Sequence, residues 1–472
     1  MSRLELFMKK IPKPLMSTIV YMFVVFFQSG INLVTTPLFS RILSTDEYGV
    51  ISTYNSWFSI LLIFVTLNLS SGVYNNALLE FEKDRDEMTS SFMSISIINS
   101  IIFLILIFIT KNYLVRLLEL PFILLVFMVV NCLLSSAWGF FIAKEKFDYK
   151  YVRPLILTII SFILNPICGY LGIMMFPSSK PVAKIIGCLI PSLLIDVWLL
   201  ISILSKGKKI YDKKYWKYAL SFNVPLLPHY LSGIILASSD RIMIQKIINF
   251  TSAGIYGVAY QLSLVIQGIF TGINSALIPY TYKNLKIGNS GAVKMYVKYM
   301  LLFVSLVTII LALCSPEIIK ILAPKEYYSA MYIVPPIVLG LYFSFVASIY
   351  GNIEFYYKKN KIVTIATTLS ALLNIILNII FIPKFGFIAA GYTTFIGYLF
   401  LAIIHYVFLK CIRKLYIYDN KVILLISIVT SIIVLASTFA FKYIVIRISL
   451  LGILIFIILM NIKNVIKFMR NV

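Results

Sequence analysis

Long apolar runs alternate with short basic connectors along the whole chain, and this alternation limits most strongly what the chain can fold into. A helix needs about 20 apolar residues to cross the hydrocarbon core of a bilayer, and fourteen runs approach or exceed that length. The composition is 60% hydrophobic and the mean hydropathy is +0.95, well above what soluble domains show. The predicted spans are Leu15–Ser40, Tyr48–Leu79, Met88–Thr110, Leu120–Ala143, Pro154–Ser179, Ile185–Ser205, Tyr218–Ser239, Ile247–Tyr282, Tyr299–Ser315, Tyr327–Ile353, Ile362–Pro383, Phe385–Leu409, Val422–Phe441 and Ile448–Ile462.

The basic residues are unequally divided between alternate connectors. With the N-terminus placed inside, 30 of the 42 Lys and Arg residues fall on the inner side. This excess follows the positive-inside rule, so the sequence predicts a multi-pass membrane protein with both termini in the cytoplasm. The net charge of +24 does not indicate nucleic-acid binding, because the basic residues lie beside apolar runs, where they face anionic lipid head groups.

An internal echo links the two halves of the chain. The segment Ser44–Val50 opens the second span, and the similar segment Thr251–Val258 opens the eighth. Six spans separate them, so both copies have the same orientation, which is typical of a parallel repeat. The predicted fold is an all-α integral membrane protein with about 14 transmembrane helices. It comprises an N-terminal six-helix lobe (1–210), a C-terminal six-helix lobe (211–415), and an additional helix pair with a cytoplasmic tail (416–472).

Motifs for enzyme chemistry are missing from the sequence. There is no phosphate-binding loop of the G-x-x-x-x-G-K-[ST] type, and the two histidines, His229 and His405, are too few for a histidine-based metal site. None of the five cysteines forms a C-x-x-C pair, so they indicate small packing residues rather than a metal or disulfide site. No cofactor and no metal is expected, and transport is favoured over catalysis.

Polar and charged residues within the spans are then the candidate functional positions. Asp196 lies near the middle of its span, where a charge costs about 2.5–3.5 kcal/mol. It either relays a proton or cation or pairs with a neighbouring helix. Asp240 and Arg241 form either a gate and phosphate contact or an interfacial ion pair, and Arg41 is similar, since a guanidinium fork can hold two phosphate oxygens. His229, in a span broken by Pro228, is either a packing residue or a second ion-coupling candidate.

Several spans also carry polar stripes at helical spacing. Such residues form hydrogen bonds between transmembrane helices, and they also line hydrated cavities. Taken one at a time they favour packing, but their occurrence on several helices together favours a shared polar lumen. The stripe residues predicted to line it are Gln28, Asn32, Gln267, Asn274, Asn374 and Asn378.

The order of several short motifs resembles that of Wzx-type polysaccharide flippases, which belong to the multidrug/oligosaccharidyl-lipid/polysaccharide exporter superfamily. The first is the segment Thr36–Ser44 followed by Glu47-Tyr48-Gly49. The matching segments farther along the chain are Ser239-Asp240-Arg241, Ala253-Gly254-Ile255-Tyr256, Ile278-Pro279-Tyr280, Asn374 to Asn378, and Ile382-Pro383-Lys384-Phe385-Gly386.

This resemblance implies a function in a bacterial inner (plasma) membrane. Such proteins move polyprenyl-pyrophosphate-linked oligosaccharide units from the inner to the outer leaflet, for surface polymers such as O-antigen or capsule, by alternating access of two lobes. The implied partners are the lipid-linked glycan, membrane lipids, and polysaccharide polymerase and chain-length proteins. Coupling to protons or sodium is suggested for relatives. Arg41 and Arg241 match recurrent arginines of the family.

Two alternatives stay open. One is another exporter of the same fold, either a peptidoglycan-precursor flippase or a multidrug antiporter. The other is a membrane enzyme such as a polymerase or glycosyltransferase, which would need a sizeable outer loop that the sequence lacks.

Overall fold

The computed structural model describes residues 13–412, 415 and 417–452, and this part of the chain is helical, without a strand. Helix ends fall where the sequence supplies caps or breakers. The helices, labelled α1 to α17 in chain order, are Lys13–Ile42, Thr45–Thr66, Val73–Glu80, Arg85–Ile109, Lys111–Leu118, Phe122–Phe147, Val152–Met175, Lys180–Gly207, Lys213–Asn223, Leu227–Ile247, Phe250–Lys286, Ser290–Leu313, Ser315–Leu322, Val334–Tyr356, Asn360–Phe385, Ile388–Val407 and Asn420–Ser437.

Twelve helical segments of the described residues are long and apolar enough to cross a membrane, so the chain is a multi-pass membrane protein. They correspond to the predicted runs from the second to the thirteenth. The first predicted run coincides with α1, which has 30 residues but is not among the twelve. The last, Ile448–Ile462, lies mostly outside the described residues. The number fourteen therefore stays a prediction.

The second predicted run, Tyr48–Leu79, is not one helix. The chain leaves α2 at Leu67 and Asn68, whose left-handed φ values of 48° and 51° end the helix, and it resumes helical structure only at α3. The break is held by hydrogen bonds, since the Asn68 amide donates to Thr66 Oγ1 at 3.1 Å and the Asn223 side chain donates to the Leu67 carbonyl at 2.7 Å. Apolar composition alone did not reveal this break, because both turn residues sit in an uncharged stretch.

The seventh predicted run, Tyr218–Ser239, is also divided. A short 3₁₀ turn at Val224–Leu226 separates α9 from α10. Pro225 explains the interruption, because proline has no amide hydrogen and its ring clashes with the preceding turn. Helix α10 continues to Ile247, about two turns beyond the predicted end, so Asp240 and Arg241 lie within a helix rather than at its end.

The described residues divide into two compact units. The first comprises residues 13–35 and 42–242, and the second comprises residues 36–41 and 243 onward. The lobe limits predicted at 210 and 415 stay predictions. In the first unit the core is formed by aromatic and aliphatic side chains such as Tyr74, Phe92 and Phe140. In the second unit α14 is the innermost helix, because its buried residues surround the whole helix.

The two units repeat the same order of helices. Helices α2 and α11 both begin at a side-chain cap, from Ser44 in a capping box with Glu47 and from Asn249 in the second copy. The next long helices, α4 and α12, are each followed by a short helix of eight residues, α5 and α13. The repeat predicted from two short segments thus extends over several helices.

Close backbone contact joins α7 to α8 in the first unit. A Cβ added at Gly187 would lie 2.5 Å from the Cys168 carbonyl oxygen, and one added at Gly172 would lie 2.7 Å from the Ala183 carbonyl oxygen. Small residues allow such approach between membrane helices, where packing rather than the hydrophobic effect drives association.

We expect Gly187→Ala to push α7 and α8 apart and lower the free energy of unfolding by about 1–3 kcal/mol, the usual cost of overpacking. The measurement is the thermal unfolding midpoint of the purified protein in detergent. Gly233→Ala is the matched control, because a Cβ there meets nothing within 4 Å. Equal midpoints for both variants would contradict the close contact.

An ion pair holds the residues after α17 to the short helix α13. Arg447, itself buried, donates to the Leu313 carbonyl at 3.0 Å and binds both carboxylate oxygens of Glu317, with Nη2 to Oε1 at 2.6 Å. The hydrogen bonds and charge of Arg447 lower the pKa of Glu317.

A lowered pKa means that this contribution to stability is present above the ordinary glutamate pKa of about 4.3 and is lost as the pH falls through the lower folded-state value. We expect Glu317→Gln to cost about 1 kcal/mol at neutral pH, because water screens a carboxylate whose side chain is 43% exposed. The difference in unfolding midpoint from the wild type should shrink in acid. Glu326→Gln, an exposed acid nearby, is the control, and a difference independent of pH would contradict the assignment.

Candidate functional site

The polar stripe of α15 is turned into the second unit. Asn374, Asn378, Thr393 and Thr394 are all buried. Asn378 Nδ2 donates to Asn374 Oδ1 at 3.3 Å, Asn374 Nδ2 donates to Thr394 Oγ1 at 3.5 Å, and the Thr393 hydroxyl donates to Asn378 Oδ1. These contacts join α15 to α16, so they hold this helix pair together.

The stripe of α11 differs along its length. Tyr260 and Ser263 at its start are buried, whereas Gln267 and Asn274 are half-buried and Thr271 between them is exposed. Asn274 Oδ1 accepts a hydrogen bond from Asn352 of α14 at 2.7 Å. The later half of this stripe therefore offers exposed polar groups held in place by a buried neighbour, which suits a surface that contacts a polar ligand.

Arg41 is exposed at the end of α1. Its Nη1 donates to the Pro37 carbonyl at 3.0 Å and its Nη2 donates to the Ile321 carbonyl at 2.9 Å. The neighbouring Ser40 hydroxyl donates to the Leu322 carbonyl at 2.8 Å. Ile321 and Leu322 are the last residues of α13, where backbone carbonyls lack partners within the helix. These contacts tie residues 36–41 to the second unit and fix the position of the guanidinium.

Asp240 and Arg241 are both buried in α10, at 1% and 9% exposure. Arg241 Nη2 donates to the Ala237 carbonyl one turn earlier at 2.8 Å. Helix α10 continues beyond them to Ile247. Both predicted roles, a gate with phosphate contact and an interfacial ion pair, stay predictions.

The two ion-coupling candidates lie in different surroundings. Asp196 is buried in α8, one turn after Ser192, which accepts a 2.8 Å hydrogen bond from Asn165 of α7. His229 is half-buried, with its ring centroid 5.7 Å from that of Tyr230. The side chains of Gln28 and Asn32 lie outside the described residues. The structure does not bring Asp196 and His229 together by any described contact.

One buried acid escaped the sequence analysis. Glu354 of α14 contacts His405 of α16, with 2.9 Å between Oε2 and Nδ1, and both side chains are buried. The predicted span ended at Ile353, directly before the charged residue, so Glu354 was left to the following connector. The structure continues the helix to Tyr356. A charged residue directly after an apolar run, with a histidine in a later span, was the available signal.

Ion pairs partly neutralise the lysine-rich connectors of the first unit. Asp86 contacts Lys144, and Lys209 contacts Glu87 at 3.2 Å and Asp212 at 3.0 Å. The hydrogen bond from Lys209 lowers the pKa of Asp212. Within the described part of the chain there is no group of three or more His, Cys, Asp or Glu side chains that could hold a metal ion. The site candidates are thus polar and cationic groups on membrane helices.

Comparison with known proteins identifies relatives that fit this arrangement. The family described as polysaccharide biosynthesis protein matches residues 15–285. A protein of the Lsg locus of Haemophilus influenzae is 23% identical over 346 residues, which are 71% of this chain and 83% of that protein. A membrane protein of Methanocaldococcus jannaschii is 27% identical over 227 residues, which are 47% of this chain and 45% of that protein.

Solved structures share the fold. The lipid II flippase MurJ in an inward closed conformation matches with a TM-score of 0.74 and 20% identity, over 95% of this chain and 100% of the solved chain. An inward-facing multidrug resistance transporter of the MATE family, within the MOP superfamily, matches with a TM-score of 0.65 and 12% identity, over 83% of this chain and 94% of the solved chain.

These structural neighbours are transporters and flippases rather than enzymes, and the chain has their two-lobe, all-helical fold. The family match covers more than half of the 472 residues. The chain therefore belongs to the family of polysaccharide biosynthesis proteins.

Proposed function

We propose that the protein is a flippase that moves a polyprenyl-pyrophosphate-linked oligosaccharide from the inner to the outer leaflet of a bacterial plasma membrane, by alternating access of its two lobes. The observation that carries this proposal is the combination of a polysaccharide biosynthesis family match with the fold of a lipid II flippase over nearly the whole chain. Family membership supports a glycan as the substrate, and the fold supports movement of a lipid-linked head group.

The physical need for such a protein supports the proposal. A pyrophosphate with attached sugars cannot cross hydrocarbon unaided, because burying unpaired charge and unsatisfied hydroxyl groups is very costly. The structure offers polar groups on membrane helices, such as the half-buried Gln267 and Asn274, and an exposed guanidinium at Arg41. Arginine suits pyrophosphate because its planar fork holds two oxygens at once. A surface polymer such as O-antigen or capsule would be the destination of the glycan.

A second candidate is the flipping of a peptidoglycan precursor. The match to the lipid II flippase, with a TM-score of 0.74, exceeds that to the multidrug transporter, with a TM-score of 0.65. The consequence of deletion separates the candidates. Loss of a peptidoglycan-precursor flippase stops growth, loss of a drug antiporter changes resistance, and loss of a repeat-unit flippase removes a surface polymer.

We expect a deletion strain to lose its surface polymer and to accumulate the lipid-linked unit in the inner leaflet. Lipid extraction with analysis of the glycan measures the accumulation, and accessibility of the unit to an external glycan-modifying enzyme reports its leaflet. Complementation with the intact chain is the control. Arrival of the unit in the outer leaflet at the normal rate would contradict the proposal.

We expect Arg41→Ala to lower polymer output roughly ten-fold or more, since a charge-assisted hydrogen bond contributes about 1.5–3 kcal/mol. Membrane abundance should be unchanged, because the guanidinium is exposed. Arg41→Lys should restore output only in part, since an ammonium is a point charge without the fork. Arg116→Ala is the matched control, because Arg116 is also an exposed arginine and lies on the short helix α5. A fall in abundance that accounts for the lost output would show that Arg41 only holds residues 36–41 in place.

A further inference from the structure

The second unit contains a buried acid–imidazole pair that the proposed function does not use. Glu354 of α14 and His405 of α16 are 51 residues apart, and Oε2 and Nδ1 lie 2.9 Å apart. The side chain of Glu354 is fully buried and that of His405 is 3% exposed. The second carboxylate oxygen, Oε1, is also buried and has no hydrogen-bond partner among the described residues. Helices α14 and α16 pack directly against each other, so the pair lies inside the unit.

The contact restricts where a further proton can bind. One hydrogen lies between Nδ1 and Oε2, and the ring carries it when the carboxyl group is ionised. Proton exchange is then left to Nε2, the other ring nitrogen. Without a proton at Nε2 the pair has a net charge of −1, and with one it is a neutral ion pair. Because an uncompensated charge is costly in a buried site, the two states differ strongly in how they fit the surrounding helices.

The backbone next to His405 departs from regular helix. Helix α16 ends at Val407 and passes into a π-helical turn at Phe408–Ile412, three residues after His405. Single π turns inside helices occur often at functional sites. The turn is at the lysine-rich end of the helix, which the positive-inside rule predicts to be cytoplasmic.

A small cavity adjoins this turn. Its volume is about 10 Å³, room for about one water molecule. Its polar lining comes from Tyr350, Tyr406, Lys410, Tyr418 and Asn420, and its apolar lining from Leu409, Leu415 and Ile417. Lys410 Nζ donates to the Tyr406 hydroxyl at 2.6 Å, and the Tyr350 hydroxyl donates to Asn420 at 2.9 Å. Neither Glu354 nor His405 lines this cavity, so it is a neighbouring feature of the same helices rather than part of the pair.

Charged groups on the packed helices are mostly basic at this end. Apart from Glu354, the acid there is Asp419, which caps α17 by accepting from the Val422 amide. The other described titratable groups at this end of the helices around the pair are Tyr280, Tyr282, Lys283 and Lys286 of α11, Lys294, Tyr296, Lys298 and Tyr299 of α12, Tyr356 of α14, Tyr357, Lys358 and Lys359 after it, Lys361 of α15, Cys411 in the π turn, and Lys421 of α17.

We propose that the Glu354–His405 pair is a proton-binding site of the second lobe and that its protonation is coupled to transport. The coupling rests on the proposed function, whereas proton binding does not. The ligand class is the hydronium ion, and the exchanged proton resides at Nε2 of His405. This site is distinct from Asp196 and His229, which belong to the first unit.

Infrared pH-difference spectroscopy of the purified full-length protein tests proton binding. In a His229→Gln background, where His405 is the remaining histidine, we expect an imidazole signal that changes within the pH range in which the protein stays folded, and its loss when His405→Gln is added. In Glu354→Gln the signal should differ from that of the wild type, because Nδ1 then contacts a neutral amide in place of a carboxyl group. An imidazole signal that does not change with pH, or that is the same in Glu354→Gln as in the wild type, would overturn the proposal.

Two further variants in the same His229→Gln background separate proton binding from folding. Tyr342→Phe removes a buried 3.0 Å hydrogen bond between α14 and Ser427 but leaves the pair intact, so the imidazole signal should match that of the wild type. The double variant Glu354→Gln/His405→Gln keeps two amides able to hydrogen-bond and removes both charges. It should fold, as judged by gel filtration, and lack the signal. A signal that persists in the folded double variant would place the exchanged proton elsewhere and overturn the assignment.

Polymer output in cells tests the coupling. We expect Glu354→Gln and His405→Gln to lose most of the output at unchanged membrane abundance, and Tyr342→Phe to retain it. Normal output from both pair variants, with the imidazole titration intact in the wild type, would overturn the coupling and leave the flippase function standing. If the deletion strain itself keeps its polymer, the flippase function fails, and the spectroscopic result still decides whether the pair binds a proton.

Discussion

Hydrocarbon cannot hydrogen-bond, and this constraint governs where every polar group of the protein lies. Charge is placed mainly in the connectors, where acids such as Asp86 and Glu87 meet lysines. Polar side chains that remain within the spans mostly find partners inside their own unit. The amides of Asn374 and Asn378 are satisfied by threonines of the next helix, and Asn352 is satisfied by Asn274. A span residue that lacks such a partner is therefore informative about function.

Helix positions follow from the sequence because apolar composition reports burial in lipid directly. The ends and interruptions of helices do not follow from apolar composition, because single side chains determine them. The break after α2 depends on Asn223, 156 residues away, which donates to the Leu67 carbonyl. The extension of α10 to Ile247 includes Asp240, Arg241 and Gln245, which composition alone would exclude from a span. Each of these outcomes requires a tertiary contact that one sequence does not show.

The candidate site was predicted less completely than the fold, for a related reason. A polar stripe looks the same in sequence whether it faces a neighbouring helix or an open surface. The structure distinguishes the two cases, since Asn374 and Asn378 are buried, whereas Gln267 and Asn274 are partly exposed. The sequence predicts a role for Arg41 but cannot show its two carbonyl partners, which the structure supplies. Glu354 was missed because the predicted span ended one residue before it.

The family match and the buried pair lie in different parts of the chain. The match covers residues 15–285, which include the first unit and α11, whereas Glu354 and His405 lie beyond it. Family membership therefore leaves the pair unexplained. A fully buried carboxyl group with one oxygen lacking a hydrogen bond from any described residue is costly, and replacement of such pairs by apolar residues is often neutral or stabilising. Stability alone therefore does not account for its presence in the innermost helix of the second unit, whereas the proposed change of charge during transport does.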